Sequence, residues 1–339
     1  MRVLFLHTNR QDYLADGIFH GLRTLLGEDC VDVPRYDCMY APLENELKSK
    51  LRGNGFTLYG LLPDLPLQAQ RYYWQSQLNT FDVIVIANIW RQWIDLWNYR
   101  DLFKNKKIVV LDGEDIPYLF PYGSYGSHFK KHPFFLFTPL KKAYYFKREL
   151  YDGYVSRSMD RIFGTSPLFE MSLPTNVFPI SFSIPKEKIT RQETGCQKLF
   201  QTHVVDEEIG KLLLETKFSS TGSDLAFFKE EDLYYHDMRT SKFGITTKRA
   251  GWDCLRHYEI AASGSILCFR DLHMKPPKCA PQGLDDSNSI SYTSYSHLMN
   301  QIEHLDNERY NQLKNGSHDW IHQNTTETKA TYLLENVIK

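Results

Sequence analysis

Hydrophobic residues along this chain fall into short unbroken runs separated by longer stretches of helical period. Arg2–His7, Phe81–Ala87 (Phe-Asp-Val-Ile-Val-Ile-Ala) and Lys107–Leu111 (Lys-Ile-Val-Val-Leu) are near-continuous apolar runs. Such runs are typical of parallel strands covered on both faces. Between them the pattern predicts helices near Ala15–Leu26, closed by Gly27, and over Gln68–Leu78. Arg161–Thr165 predicts a further strand. Residues 165–196 carry Pro167, Pro174, Pro179 and Pro185 with little helical period, and read as a connection between domains. The alternation then restarts. Strands are predicted at Lys198–Thr202, near Phe218, at Lys242–Ile245, Ser265–Phe269 and Ile290–Tyr292. Helices are predicted at Val205–Leu214, Asp224–Tyr235, Ser296–Leu305, Glu308–His322 and Glu327–Ile338. Strands alternating with helices predict an α/β protein, and two rounds of alternation predict two tandem, doubly wound, Rossmann-like domains.

One segment carries chemistry as well as pattern. Residues 247–264 read Thr-Lys-Arg-Ala-Gly-Trp-Asp-Cys-Leu-Arg-His-Tyr-Glu-Ile-Ala-Ala-Ser-Gly. Wound as a helix at about 100° per residue, Cys254, Leu255, Tyr258, Ala261 and Ala262 share one face, fit to pack on a sheet. Arg249, Asp253, Arg256 and Glu259 gather on the opposite side, with Ile260 as the exception. Gly264 stands where a helix C-terminus favours a residue free to take positive φ. A cationic stripe with a carboxylate one turn on suits a nucleoside diphosphate. Arginine forks onto phosphate oxygens, and a carboxylate accepts hydrogen bonds from ribose hydroxyls.

Composition narrows the setting. A length of 339 residues favours two domains over one. A net charge of −1 implies no global electrostatic partner. The six cysteines (30, 38, 196, 254, 268, 279) contain no Cys-x-x-Cys and no clustered His/Cys spacing, so no metal site is expected. Cys254 and Cys268 fall on expected core faces, which fits a reducing compartment. The N-terminal apolar run is too short for a signal peptide, and no run approaches a membrane span. The expectation is a soluble, cytoplasmic protein.

Two further tracts are candidates for function. Asp112-Gly-Glu-Asp115 stands at the carboxyl end of the Lys107–Leu111 run, the end at which open α/β sheets bind ligands. Asp112 or Asp115 could there deprotonate an acceptor hydroxyl as general base; the alternative is an Asp-stabilised turn at Gly113. Residues 116–148 contain no acid but six cations, Lys130, Lys131, Lys141, Lys142, Lys147 and Arg148, interleaved with aromatics such as Phe129, Phe134 and Tyr144. The basic tract 128–148 suits a polyanion, either nucleic acid or an anionic membrane surface carrying a lipid-linked acceptor. The bland reading is a basic surface over a hydrophobic core.

Arg256-His-Tyr-Glu259, followed by Ala-Ala-Ser-Gly-Ser-Ile-Leu-Cys, resembles the C-terminal donor site of GT-B glycosyltransferases. It is similar to the corresponding helix of bacterial surface-glycan transferases and of phage enzymes that glucosylate hydroxymethylated DNA. The motif likeness covers about residues 240–300, and the topology covers nearly the whole chain. The resemblance implies an acceptor-binding domain over 1–180 and a nucleotide-sugar domain over 190–322. It also implies a C-terminal helix, 323–339, crossing back onto the first domain.

The same resemblance implies roles for single residues. Arg256 with Lys248 or Arg249 would hold the diphosphate and Glu259 the ribose. Thr202, between Gln201 and His203, would lie near the phosphates. Asn288, with Asp285 and Asp286, would lie near the donor sugar. In the DNA-glucosylating enzymes the base resembles an Asp followed shortly by Ile and Pro, as in Asp115-Ile-Pro. The loop after the first strand brings Asp12, Asp16 and His20 as rival bases, against a plain capped helix start. An Asp-x-Asp-like metal motif at 112–115 is disfavoured by the two tandem halves. No cofactor is implied beyond the nucleotide sugar as co-substrate.

The expected activity is hexosyl or pentosyl transfer, without metal, from a nucleotide sugar, UDP-linked by expectation. The acceptor would be a hydroxyl of a glycan or lipid-linked glycan, with peripheral membrane contact. The alternatives are a DNA glycosyltransferase acting on hydroxymethylated cytosine and a non-catalytic nucleotide- or glycan-binding protein.

Overall fold

Six parallel strands build the first sheet: β1 (Val3–Leu6), β2 (Cys30–Val33), β3 (Val83–Ile86), β4 (Lys107–Asp112), β5 (Tyr144–Lys147) and β6 (Asn176–Pro179), in the order β2-β1-β3-β4-β5-β6. Every residue of β1 and β3 is buried, as expected where helices cover both faces. The structure, a computed structural model, describes residues 1–120, 139–151, 174–190, 196, 198–215 and 228–338. The strand expected at Arg161–Thr165, the one near Phe218 and the opening of the helix expected at Asp224 lie outside them.

The first helix, α1 (Tyr13–Leu26), starts where Asp12 accepts hydrogen bonds from the Leu14 and Ala15 amides and stops at Gly27, whose φ is 55°. The helix expected over Gln68–Leu78 is cut to Gln68–Tyr72. Trp74 leaves that path to pack edge-on against Tyr99, 5.2 Å between ring centres, inside the core. The second long helix of this domain is α2 (Ile89–Asn98). The stretch 165–196, read above as a connection, contributes β6. Its proline closes an edge strand, a position where the missing amide costs no ladder bond.

A second parallel sheet follows, with β7 (Lys198–Phe200), β8 (Ser241–Thr246), β9 (Ile266–Arg270) and β10 (Ser289–Tyr292) in the order β10-β9-β8-β7. Its helices are α3 (Glu207–Glu215), α4 (Glu231–Arg239), α5 (Leu255–Ala262), α6 (Tyr295–Glu303) and α7 (Asn307–His322). The segment expected to be helical from 247 is helical only in α5; residues 247–254 form a loop. The first domain holds that loop out of helical conformation. The Asp253 amide donates to Glu149 Oε1 at 3.1 Å, and its carbonyl accepts from Arg148 Nη1 at 3.0 Å. Inside the second domain, buried His257 bonds the Trp252 carbonyl through Nε2 at 3.0 Å. Burial drives the His257 pKa down to about 3, so the ring is neutral.

The faces of α5 also differ from the expected ones. Ile260 turns toward the sheet, so close to Gly244 that a Cβ there would lie 2.3 Å from Ile260 Cγ2. Tyr258 stacks on Trp320 of α7 with centroids 5.2 Å apart. The helix is thus buried on two sides.

The last helix, α8 (Thr326–Ile338), packs on α1 of the first domain. Gly21 permits this approach, since a Cβ there would come within 2.0 Å of the Thr326 carbonyl oxygen. Lys107 Nζ donates to the Val337 carbonyl at 2.8 Å and fixes the far end. Among the described residues no helix is long and apolar enough to cross a membrane.

Candidate active site

The loops that leave the carboxyl ends of β1, β4, β5, β7 and β8 converge on one cleft between the two domains, with a cavity volume of about 400 Å³. That is the end of the strands at which parallel sheets bind ligands. The second domain contributes Arg249, Asp253, Cys254, Leu255, Arg256 and Glu259 to its lining.

Helix α5 begins at the cleft. Its N-cap residue, Cys254, makes no side-chain capping bond. The first amides of a helix lack intrahelical acceptors, and the dipole leaves them positive. Arg256 lies in this first turn. It is 6% exposed. Its guanidinium sits 5.5 Å from the Tyr234 ring centre and makes no hydrogen bond or ion pair among the described residues. A cation this buried calls for an anion, and the cleft is the open side.

Glu259 follows one turn on. Its Oε2 accepts from Tyr234 at 2.5 Å and its Oε1 from Thr57 Oγ1 at 2.5 Å. Thr57 belongs to the first domain and comes from a loop that crosses the cleft. Gly53, Asn54, Gly55, Thr57 and Gly60 all have positive φ there. For a β-branched residue such as Thr57, at φ 74°, this conformation costs about 1–3 kcal/mol. The second domain holds it: the Thr57 amide donates to Glu231 Oε1 at 2.7 Å, and Tyr235 bonds Thr57 Oγ1 at 2.9 Å. A carboxylate accepts more than two hydrogen bonds, so Glu259 keeps capacity for a ligand.

Arg148 forms the floor. It is 1% exposed and joins both domains. It donates to the Gly113 carbonyl through Nε at 3.1 Å and Nη2 at 3.0 Å, to Glu149 Oε1 at 3.0 Å, to the Asp253 carbonyl at 3.0 Å and to Asp115. The Asp253 carboxyl beside it accepts from Tyr258 and from the Phe182 amide, each at 2.8 Å. Burial pushes the Asp253 pKa up to about 6, against the lowering effect of Arg148 and of these bonds.

Of the residues nominated from sequence, the cleft gathers Arg249, Arg256, Glu259 and Asp115, along with Asp12 and His203 from the rival and flanking groups. Lys248 is exposed, 5.8 Å from the Trp252 ring, and does not line the cleft. Thr202 is turned away, with its amide and hydroxyl both on Asp237. Asn288 braces its own loop through Asp285 and Gly283.

The other two candidate bases are also buried behind the cleft. Asp112 is fully buried, and its carboxylate accepts from Lys147 at 2.8 Å, Trp90 at 2.9 Å, the Glu114 amide at 3.2 Å and Tyr145. Asp16 is fully buried on His7 at 3.0 Å, Tyr59 at 2.6 Å and the Asp12 amide at 3.0 Å, and burial raises its pKa. His20 faces α8 and bonds Thr326 at 2.9 Å.

The basic tract needs a correction. Lys147 and Arg148 are not surface cations; both are buried and compensated by Asp112, Glu149 and Asp115. Residues 128–138 lie outside the described residues, while Lys141 and Lys142 are exposed. Sequence reasoning also passed over Glu114 and Thr57, and took Arg148 for a surface cation of the basic tract rather than a buried link between the domains. Glu114 and Thr57 both had local signals: Glu114 lies within the Asp112-Gly-Glu-Asp115 tract, and glycines at 53, 55 and 60 surround Thr57.

No protein-family model and no curated relative matches the chain. Solved structures do. Anabaena HepE in complex with UDP-glucose matches over 100% of this chain and 99% of that one, at 8% identity and a TM-score of 0.55. A glycosyltransferase from Rickettsia africae matches over 100% and 98%, at 10% identity and 0.52. Sucrose-phosphate synthase from Thermosynechococcus elongatus matches over 99% and 98%, at 8% identity and 0.51. At such identities the likeness speaks for architecture alone: the chain has the two-domain GT-B fold, with two Rossmann-like sheets facing one cleft.

Proposed function

We propose that this protein is a glycosyltransferase that moves a sugar from a UDP-linked donor to a hydroxyl acceptor, a glycan or lipid-linked glycan. One observation carries the reading. Arg256 makes no hydrogen bond or ion pair among the described residues and rests only over the Tyr234 ring, in the first turn of a helix that opens on the interdomain cleft, one turn before Glu259. That is a site for a diphosphate with its ribose. The bound UDP and UDP-glucose of the Anabaena structures support the choice of nucleotide.

In this reading the diphosphate meets the α5 amides, Arg256 and Arg249. These groups offset the charge that builds on the leaving diphosphate, and they are in place before the reaction begins. Glu259 accepts from ribose hydroxyls in place of, or beside, Thr57. The acceptor enters along the first domain, where Asp12, Glu114 and Asp115 line the cleft. With Lys147 and Arg148 internal, the described part of the basic tract offers little to a DNA duplex, so the glycan acceptor is preferred.

Incubation with labelled UDP-sugars tests this, with lipid-linked glycan extract and hydroxymethylcytosine DNA as parallel acceptors. Label transferred to the glycan fraction is expected. Transfer to DNA would replace the acceptor. No cleavage of any UDP-sugar, by a folded protein, would leave a binding role in place of an enzyme.

A further inference from the structure

Among the described residues five carboxylates line the cleft, and four are engaged by the protein. Asp12 caps α1 with Oδ1 and accepts from Asn88 at 2.7 Å with Oδ2. Asp115 pairs with Arg148. Asp253 has both oxygens bonded, and so does Glu259. Glu114 differs. Its carboxylate accepts no hydrogen bond and forms no ion pair among the described residues. Yet its backbone is fixed at both ends. The amide donates to Asp112 Oδ1 at 3.2 Å, and the carbonyl accepts from Lys147 Nζ at 3.1 Å.

The buried cluster of Asp112, Lys147, Trp90 and Tyr145 therefore serves as a rigid mount at the end of β4. It presents one unengaged carboxylate to the cleft, from the domain opposite Arg256. Arg91, Asp12 and Lys147 are the other charged groups near it.

We propose that Glu114 is the general base of the transfer. This rests on the donor reading above. The acceptor oxygen forms a bond to the anomeric carbon while the bond from that carbon to the diphosphate oxygen breaks. The bonding pair leaves with the diphosphate, offset by Arg256 and the α5 amides. The acceptor proton goes to Glu114. A single displacement of this kind inverts the anomeric configuration. The surroundings favour the task. Burial, then the negative charges of Asp112 and Asp12, raise the Glu114 pKa above its ordinary value, against Arg91 and Lys147. A base is most effective with its pKa nearer the working pH.

The test compares wild type, Glu114→Gln and Glu114→Asp on UDP-glucose, UDP-galactose and UDP-N-acetylglucosamine. Water is the acceptor, and UDP binding is followed by calorimetry. Glu114→Gln is expected to bind UDP as wild type does and to cleave about 10²–10⁴-fold more slowly, the usual contribution of a general base. The acid limb of the wild-type pH profile should disappear in Glu114→Gln, and Glu114→Asp should restore part of the rate. Fresh product should carry the inverted anomer by NMR. A Glu114→Gln enzyme with wild-type turnover, or a retained anomer, overturns the base and leaves the donor site standing. A wild type that binds UDP but cleaves none of the three overturns it too. A wild type that does not bind UDP overturns both.

Discussion

Replacing Arg148 with methionine keeps most of the aliphatic stem but removes the guanidinium, which lies over the Phe182 ring at 4.5 Å. The loss can be worked from the structure. Two bonds to Gly113, one to Asp253 and one to Glu149 disappear, all at 3.0–3.1 Å. Glu149, itself 1% exposed, keeps the Asp253 amide and Cys279 but loses its countercharge. The pair with Asp115, which is half exposed, adds little. Removing one partner of a buried charge pair costs about 3–5 kcal/mol. Unfolding entropy of about 2.1 cal/mol/K per residue makes this a fall of roughly 4–7 °C in Tm, if all 339 residues melt as one unit.

Function should fall with stability, because Arg148 ties the loop that starts α5 to the loop that carries Glu114. Differential scanning calorimetry reads the first effect and UDP titration at low temperature the second. A variant that melts within a degree of wild type and binds UDP with unchanged affinity would refute the idea that Arg148 couples the two walls.

Two other outcomes are expected. Gly21→Ala gains about 1 kcal/mol of helix propensity but drives a Cβ to 2.0 Å from the Thr326 carbonyl oxygen. Overpacking costs of about 1–3 kcal/mol or more should win. Gly17→Ala, facing the Ser183 hydroxyl at 2.9 Å, should be milder; equal melting temperatures would contradict the α1–α8 packing. Asp253, with a folded pKa of about 6 against an ordinary 3.8, stabilises the fold fully below the lower value. That contribution is lost as pH rises through the higher one. A shift of roughly two units is about 3 kcal/mol. Denaturant unfolding should therefore show Asp253→Asn gaining on wild type by up to that amount between about pH 4 and about pH 7, and a constant difference would contradict it.

Strands β1, β3 and β4 and the four strands of the second sheet were legible from their apolar residues, whereas β2, β5 and β6 were not: β2 carries the buried Asp32, β5 lies in the tract read as a basic surface, and β6 in the stretch read as a connection. The donor helix was legible in part. Arg256 and Glu259 stand one turn apart in α5, as their spacing predicts. The helix start was not legible, because it is set by Arg148 and Glu149, more than a hundred positions earlier. Lys147 and Arg148 read as surface cations for the same reason: the countercharges Asp112 and Asp115 and the Asp253 carbonyl acceptor reach them only through the fold. The tract Asp112-Gly-Glu-Asp115 marked the right strand end. Sequence could not say which carboxylate turns inward onto Lys147, Trp90 and Tyr145 and which turns to the cleft.

The central claim is that a nucleoside diphosphate sits at the start of α5, against Arg256 and Glu259. Calorimetric titration of UDP into wild type, Arg256→Ala and Glu259→Ala tests it most directly. Wild type should bind. Glu259→Ala should lose roughly 1.5–3 kcal/mol, the range for hydrogen bonds to a charged group, and Arg256→Ala at least as much, with folding unchanged by circular dichroism. Equal UDP affinity in all three folded proteins, or no binding by wild type, would contradict the account.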